Sequence, residues 1–191
     1  NILTHPQNIV VVSPADDGVG TLRQALLHAQ PGDTILFDLV IFPPSNPITI
    51  SLINPLPTII TDALTIDGSN AGIILNGGDL SFGSGFVVSG TENVQIRGLQ
   101  ILNFPCNGIE LTNGTRYSVI GGDRFLGEAP LGQGNLISHN GRNGIFIHDT
   151  GTISNEVIGN YLGTNLSGSQ ALGNGYSGIA ITGGARNNWD R

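Results

Sequence analysis

The sequence contains no lysine and no methionine, one cysteine and one tryptophan. Each absence removes a class of function. All 7 basic residues are arginine, set against 14 acidic ones, and the formal net charge is -7. A surface that tracks nucleic-acid phosphates is therefore excluded. Phosphate loops that depend on a lysine are excluded with it. A lone cysteine, Cys106, cannot form an internal disulfide and reads as a small apolar residue in a packed coil. No apolar run approaches the roughly 20 residues of a membrane span, and no basic amphipathic helix is present, so no membrane insertion is expected. Without methionine, Asn1 is not an initiator product, and the chain is expected to be a processed form or a piece of something longer. Charged residues make up only 11%, which leaves Asn, Ser, Thr and Gly to face solvent.

Against these absences stands a repeated phrase. NGIELTNG at 107–114, NGIFIHDTG at 143–151 and SGIAITGG at 177–184 begin 36 and then 34 residues apart. Self-similarity at such a period is the mark of stacked structural units. Each phrase alternates apolar and polar residues, the two-residue period of a strand with one buried face. Aligned, Ile109, Ile145 and Ile179 form one column, and Leu111, Ile147 and Ile181 another. Glu110, Phe146 and Ala180 fall on the opposite face. A second pair of phrases, YSVIGG at 117–122 and NEVIGN at 155–160, repeats after 38 residues. Each precedes a Gly-rich segment, 123–134 and 163–173, and the two segments are expected to project from the same side of neighbouring coils.

The remaining chain supports the same picture. Ile9–Val12 and Thr34–Phe37 read as strands. Thr21–Ala29 is the one good helix, capped by Thr21 and carrying Leu22, Ala25, Leu26 and Ala29 on one stripe. Five prolines between 43 and 57 mark an irregular stretch, with Ile48–Leu52 alternating as a strand among them. From Leu64 onward short strands and corners follow one another without a helix. The expected fold is all-β, a right-handed parallel β-helix whose N-terminal end is capped by the helix at 21–29. One continuous domain is expected, with residues 1–63 forming the N-terminal strands, helix and Pro-rich segment and 64–191 the coils. Asn187-Asn188-Trp189 reads as the opening of another coil, in the position of Asn155-Glu156-Val157.

The phrases SVIGG (118–122), NLISHN (135–140), GNYLGT (159–164) and ALGNG (171–175) resemble those of secreted bacterial right-handed parallel β-helix repeat proteins. The stretch from Asp16 to Ala25 resembles a domain named for the motif Cys-Ser-Leu-Arg-Glu-Ala, with Gly20 in place of the Cys and Gln24 in place of the Glu. PGDTILF (31–37) and LTIDG (64–68) match as well. The resemblance implies the β-helix and an extracellular or cell-surface location. It does not imply one activity, since some β-helices are polysaccharide lyases or hydrolases and fold does not fix function.

Chemistry-bearing residues are few. Glycoside hydrolysis needs two carboxylates converging on one site, yet no two carboxylates of the repeat region share a column. The nearest match to lyase chemistry is one coil holding Asp123, Arg124, His139, Arg142, His148 and Asp149, the weak catalytic candidates. Glu110, Phe146 and His148 are the candidates for a ligand-binding face. No residue set has metal-ligand spacing, and no cofactor is expected; calcium would enter only with a lyase-type reading. The sequons Asn113-Gly-Thr115 and Asn165-Leu-Ser167 make Asn113 and Asn165 glycosylation candidates.

The favoured expectation is an extracellular structural, adhesive or assembly module, stacking head-to-tail on itself into a filament. Asn187, Asn188 and Trp189 are the expected interface in that case, since a head-to-tail contact does not close. The alternative is a polysaccharide lyase or hydrolase, or a carbohydrate-binding β-helix, with extracellular polysaccharide as partner.

Overall fold

A computed structural model describes residues 6–190. Its strands lie in three parallel sheets that the chain visits in turn. The first sheet has seven strands: β1 (Asn8–Val11), β2 (Thr34–Phe37), β4 (Thr65–Asp67), β7 (Gln95–Arg97), β10 (Val119–Gly121), β13 (Glu156–Ile158) and β16 (Trp189–Asp190). The second has five: β3 (Ile48–Ser51), β5 (Ile73–Asn76), β8 (Gln100–Leu102), β11 (Leu136–Ser138) and β14 (Tyr161–Leu162). The third has four: β6 (Phe86–Ser89), β9 (Ile109–Thr112), β12 (Ile145–Ile147) and β15 (Ile179–Ile181). From β4 onward successive strands of the chain belong to successive sheets, and each strand pairs with the one a full turn away. This is a parallel β-helix.

The interior is a set of vertical columns. Ile35, Ile66, Ile96, Ile120 and Val157 stack in the first sheet, and Ile50, Leu75, Ile101 and Ile137 in the second. In the third sheet Phe86, Ile109, Ile145 and Ile179 form one column, and Val88, Leu111, Ile147 and Ile181 the next. Most of these side chains are fully buried. Alternation along each short strand puts every second residue inside, and register stacks like upon like at about 4.8 Å per coil. The structure adds a fourth phrase to the three read from the sequence: SGFVVSG at 84–90 occupies the place of NGIELTNG one coil earlier.

Corners are held by asparagine ladders. Asn155, fully buried, receives the Ser118 N–H on Oδ1 and donates from Nδ2 to Thr115 O and to Asn188 Oδ1. Asn135 and Asn160 repeat the pattern at another corner, as do Asn140 and Asn174, while at a further corner Asn143 donates back to Asn107 Oδ1. Buried backbone groups that the parallel sheets leave open at the bends are thereby satisfied. Left-handed residues also stack: Ala63, Asn93, Tyr117, Ser154 and Asn187 all have φ between 55° and 59° at the corner leading into the first sheet.

At the N-terminal end α1 (Leu22–His28) takes the place of strands. Thr21 accepts the Gln24 N–H, while the Gln24 amide oxygen accepts the Gly20 N–H, a reciprocal cap. Leu22, Ala25 and Leu26 are buried against the core.

Two expectations are corrected. Asn188, not Asn187, aligns with Asn155, and Trp189 pairs with Glu156 rather than Val157. A one-residue slip exchanges the faces of a strand, so Trp189 points outward and is 59% exposed. The two Gly-rich segments also lie at different corners. Residues 123–134 connect the first sheet to the second, whereas 163–173 follow the second-sheet strand β14. The earlier segment does not project freely. Its Ala129 N–H donates to Ser69 O and its Glu128 N–H to Asn70 Oδ1, so it lies back across two coils with Ala129 and Leu131 buried.

Candidate functional site

The outer face of the third sheet carries Val87 and Ser89 on β6, Glu110 and Thr112 on β9, and Phe146 on β12, with His148 directly after β12. Alternation sends these side chains out of the core for the same reason that it sends Ile109, Leu111, Ile145 and Ile147 in. His148 is the hub. Its Nε2 lies 3.0 Å from Glu110 Oε1, one coil away, and its Nδ1 lies 3.0 Å from Asp149 Oδ1. Glu110 is fixed from behind: Ser84 Oγ and Asn107 Nδ2 both donate to Oε2, at 3.0 and 3.1 Å. Asp149 receives the Thr112 hydroxyl and the Asn113 N–H on Oδ2. The Phe146 ring stacks on the His148 imidazole with centroids 4.3 Å apart and planes at 21°. One hydrogen-bonded network thus joins three coils, from the buried Ser84 and Asn107 at the corner out to His148 and Asp149.

The electrostatics follow from these contacts. Burial alone would push the His148 pKa down, but its bonds to Glu110 and then Asp149 outweigh burial and hold it above the ordinary histidine value. The Thr112 hydroxyl and then the His148 bond hold the Asp149 carboxyl below the usual range. Both ring nitrogens face carboxylates, and only the imidazolium can donate to both. His148 therefore has no lone pair directed at solvent in this arrangement. The two carboxylates are separated by the width of an imidazole, where an inverting hydrolase would hold a water.

Asp149 also has a backbone role. Asn113, Asp149 and Gly183 form one column with φ of 53°, 74° and 61°, the left-handed region that Asn, Asp and Gly tolerate best. Beside this column lies a polar groove of about 360 Å³, lined by Asp62, Thr91, Glu92, Asn113 and Arg116 among others. Asn113 thus belongs to the groove wall and, through its N–H, to the Asp149 network.

The other candidates are not brought together. Asp123 and Arg124 open the loop after β10; Asp123 Oδ1 accepts the Phe125 N–H, and the Arg124 guanidinium lies 4.9 Å from the Tyr161 ring centre. His139 is at a left-handed corner after β11, with Nδ1 2.7 Å from Asn103 Oδ1. Arg142 is exposed in the turn before β12, where its N–H donates to Cys106 O. Of the six residues grouped by coil, His148 and Asp149 share a site, joined by Glu110 and Phe146 from the candidate binding face. Among the described residues, no group of three or more His, Cys, Asp and Glu is disposed to hold a metal ion, and no helix is long and apolar enough to cross a membrane.

Of the sequons, Asn113 is exposed and donates from Nδ2 to Ser89 Oγ, while the Thr115 hydroxyl is buried, donating to Val88 O and Thr112 O. Asn165 organises its own exposed turn, accepting from Ser167 Oγ, Ser169 N and Gln170 N. Asn188 is engaged within the chain, bonded to Asn155 and Thr152. Sequence reasoning passed over Ser84, Asn107 and Thr112. Asn107 and Ser84 open equivalent phrases, and that equivalence was the available signal.

No protein-family model matches the chain, and no curated protein matches it in sequence. Among solved structures, the chain is similar to the pectate lyase Pel9A, with a TM-score of 0.57 and 13% identity. The match covers 96% of this chain and 46% of that one, so the chain spans less than half of the lyase's length. An alginate lyase from Paenibacillus sp. str. FPU-7 aligns with a TM-score of 0.33 and 18% identity, over 96% of this chain and 76% of the other. At these identities the first likeness is one of fold.

Proposed function

We propose that this protein is an extracellular carbohydrate-binding β-helix, and that the outer face of the third sheet binds polysaccharide. The observation that carries the reading is the network centred on His148, with Phe146 stacked against it. Three coils are tied together on an outward face, and an aromatic ring is held rigid beside two oriented carboxylates. Sugar rings present apolar C–H faces that stack on such a ring and hydroxyls that donate to such carboxylates. Rigid preorganisation of these groups lowers the cost of binding.

Binding is favoured over turnover by the same geometry. A lyase needs a base with a free lone pair, and a hydrolase needs room for water between its carboxylates. His148 spends both nitrogens on Glu110 and Asp149 and fills the space between them. The pectate lyase likeness supports a fold able to present a polysaccharide-binding face and supplies no catalytic group to this chain.

Electrophoresis through gels with embedded polysaccharides tests this reading. The wild-type chain is expected to be retarded by at least one polysaccharide, and Phe146→Ala to migrate as in an empty gel. Equal migration of both proteins in every gel would contradict it.

A further inference from the structure

The groove at the corner between the third and first sheets has a chemistry of its own. Asp62 Oδ1 accepts the Thr91 hydroxyl and the Glu92 N–H, and Oδ2 makes no hydrogen bond among the described residues. Arg116 Nε donates to Glu92 Oε2 at 2.8 Å, while its two terminal amino groups make none among the described residues. The Arg116 side chain is half exposed, so these donors remain open to a ligand. The groove therefore offers carboxylate acceptors and guanidinium donors side by side. A hydroxyl group donates and accepts at once and satisfies both. A polyanion meets a groove whose three charged side chains leave one net negative charge, on a protein of net charge -7.

The groove also has a direction. Asp62 is bonded to Thr91 and Glu92 on the next coil, Glu92 to Arg116 on the one after, and Asn113 to Asp149 on the one after that. A continuous polar seam thus runs parallel to the β-helix axis and reaches the Phe146–His148 platform. Its step is the coil spacing of about 4.8 Å, close to the length of one sugar unit in an extended β-linked chain.

We infer that the groove is a second set of sugar subsites, continuous with the platform, that takes an uncharged, hydroxyl-rich β-linked glycan lying along the helix axis. This rests on the carbohydrate-binding reading of the Phe146 platform. It assigns Asp62, Glu92 and Arg116 to ligand binding and sets polyuronates outside the ligand class.

Calorimetric titration with uncharged β-1,4-linked gluco-oligosaccharides of two and six units tests the inference. The wild-type chain is expected to bind the hexasaccharide at least tenfold more tightly than the disaccharide. In Asp62→Asn/Arg116→Gln, whose first substitution keeps the side-chain shape and an acceptor for Thr91 and whose second removes the guanidinium, that ratio is expected to fall close to one. Circular dichroism melting checks that the variant is folded; if it is not, Arg116→Gln alone carries the comparison. An unchanged ratio in a folded variant would remove the groove from the binding site while leaving the platform intact. Tighter binding of oligogalacturonate than of the neutral hexasaccharide, with or without added calcium, would overturn the ligand class. Absence of binding to any oligosaccharide would overturn both the inference and the reading beneath it.

Discussion

Glu110 and His148 stand one coil apart and diagonal to each other on the third sheet, and their side chains meet at 3.0 Å. The contact exists only because the coils stack in a register that places Glu110 beside Phe146 and Thr112 beside His148. Its partner Asp149 closes the other side of the ring, so the protonation of one imidazole decides how two carboxylates are held.

The His148 titration is the first consequence. Its folded pKa lies above the ordinary histidine value of 6.5, so its stabilising effect is complete below about 6.5 and is lost as pH rises through the folded value. Asp149 behaves oppositely: its effect is complete above 3.8 and is lost as pH falls through its depressed folded value. The cluster therefore stabilises most between these two limits. The melting temperature difference between wild type and His148→Gln is expected to be largest there and to shrink toward alkaline pH. NMR titration of the ring should show Glu110→Gln lowering the His148 pKa, because a neutral amide no longer favours the imidazolium as the carboxylate does.

Asn155→Ala removes an amide that serves three partners at once. Ser118 N–H is left inside the corner without a partner, Thr115 O keeps only the Ile153 N–H, and the bond to Asn188 is lost. The expected loss is about 3 kcal/mol, given the usual cost of leaving buried polar groups unpaired. Urea denaturation of the variant checks this, and a loss no greater than that of an exposed Asn, such as Asn46→Ala, would contradict the ladder.

Gly98 takes φ of 75° where the chain bends beneath the loop of residues 123–134. A Cβ there would run into the backbone of Gly68 and Ser69, the strand end on which that loop rests. Gly98→Ala is expected to destabilise by about 2 kcal/mol or more, combining backbone strain with steric conflict. It should also raise hydrogen exchange at Ala129, whose N–H bonds to Ser69 O.

The register of the last strand gives a contrasting pair. Trp189 faces solvent, so Trp189→Thr is expected to change stability by no more than about 0.5 kcal/mol. Ile147→Ala opens a fully buried column and is expected to cost about 2–5 kcal/mol. A large loss at Trp189 would contradict its outward placement.

The interior was legible in the sequence because hydrophobic columns obey a two-residue period, and three phrases sufficed to align Ile109 with Ile145 and Ile179. The outward face was legible as a set of residues, including Glu110, Phe146 and His148, but not as a network. The diagonal meeting of Glu110 with His148 depends on side-chain reach across coils. Ser84 was hidden because phrase similarity fades in the earlier coils, where SGFVVSG shares little more than its pattern with NGIELTNG, and Asn107 because the phrase does not show that its amide turns back to Glu110. Coil membership was a poor guide to proximity: Asp123, His139 and His148 lie in one coil yet on three different sheets or their corners. The slip at Asn187–Trp189 arose because two adjacent asparagines fit the ladder equally well by composition. The left-handed φ shared by Ser154 and Asn187, with the Asn155–Asn188 bond, fixes Asn188 as the rung.

The most direct test of the central claim is an NMR titration of the isotopically labelled chain with an uncharged β-linked hexasaccharide. The account predicts shifts concentrated at Phe146, His148 and the Asn113 amide, extending to Thr91 and Glu92 along the corner. Shifts confined to another face, or none at saturating oligosaccharide, would contradict it.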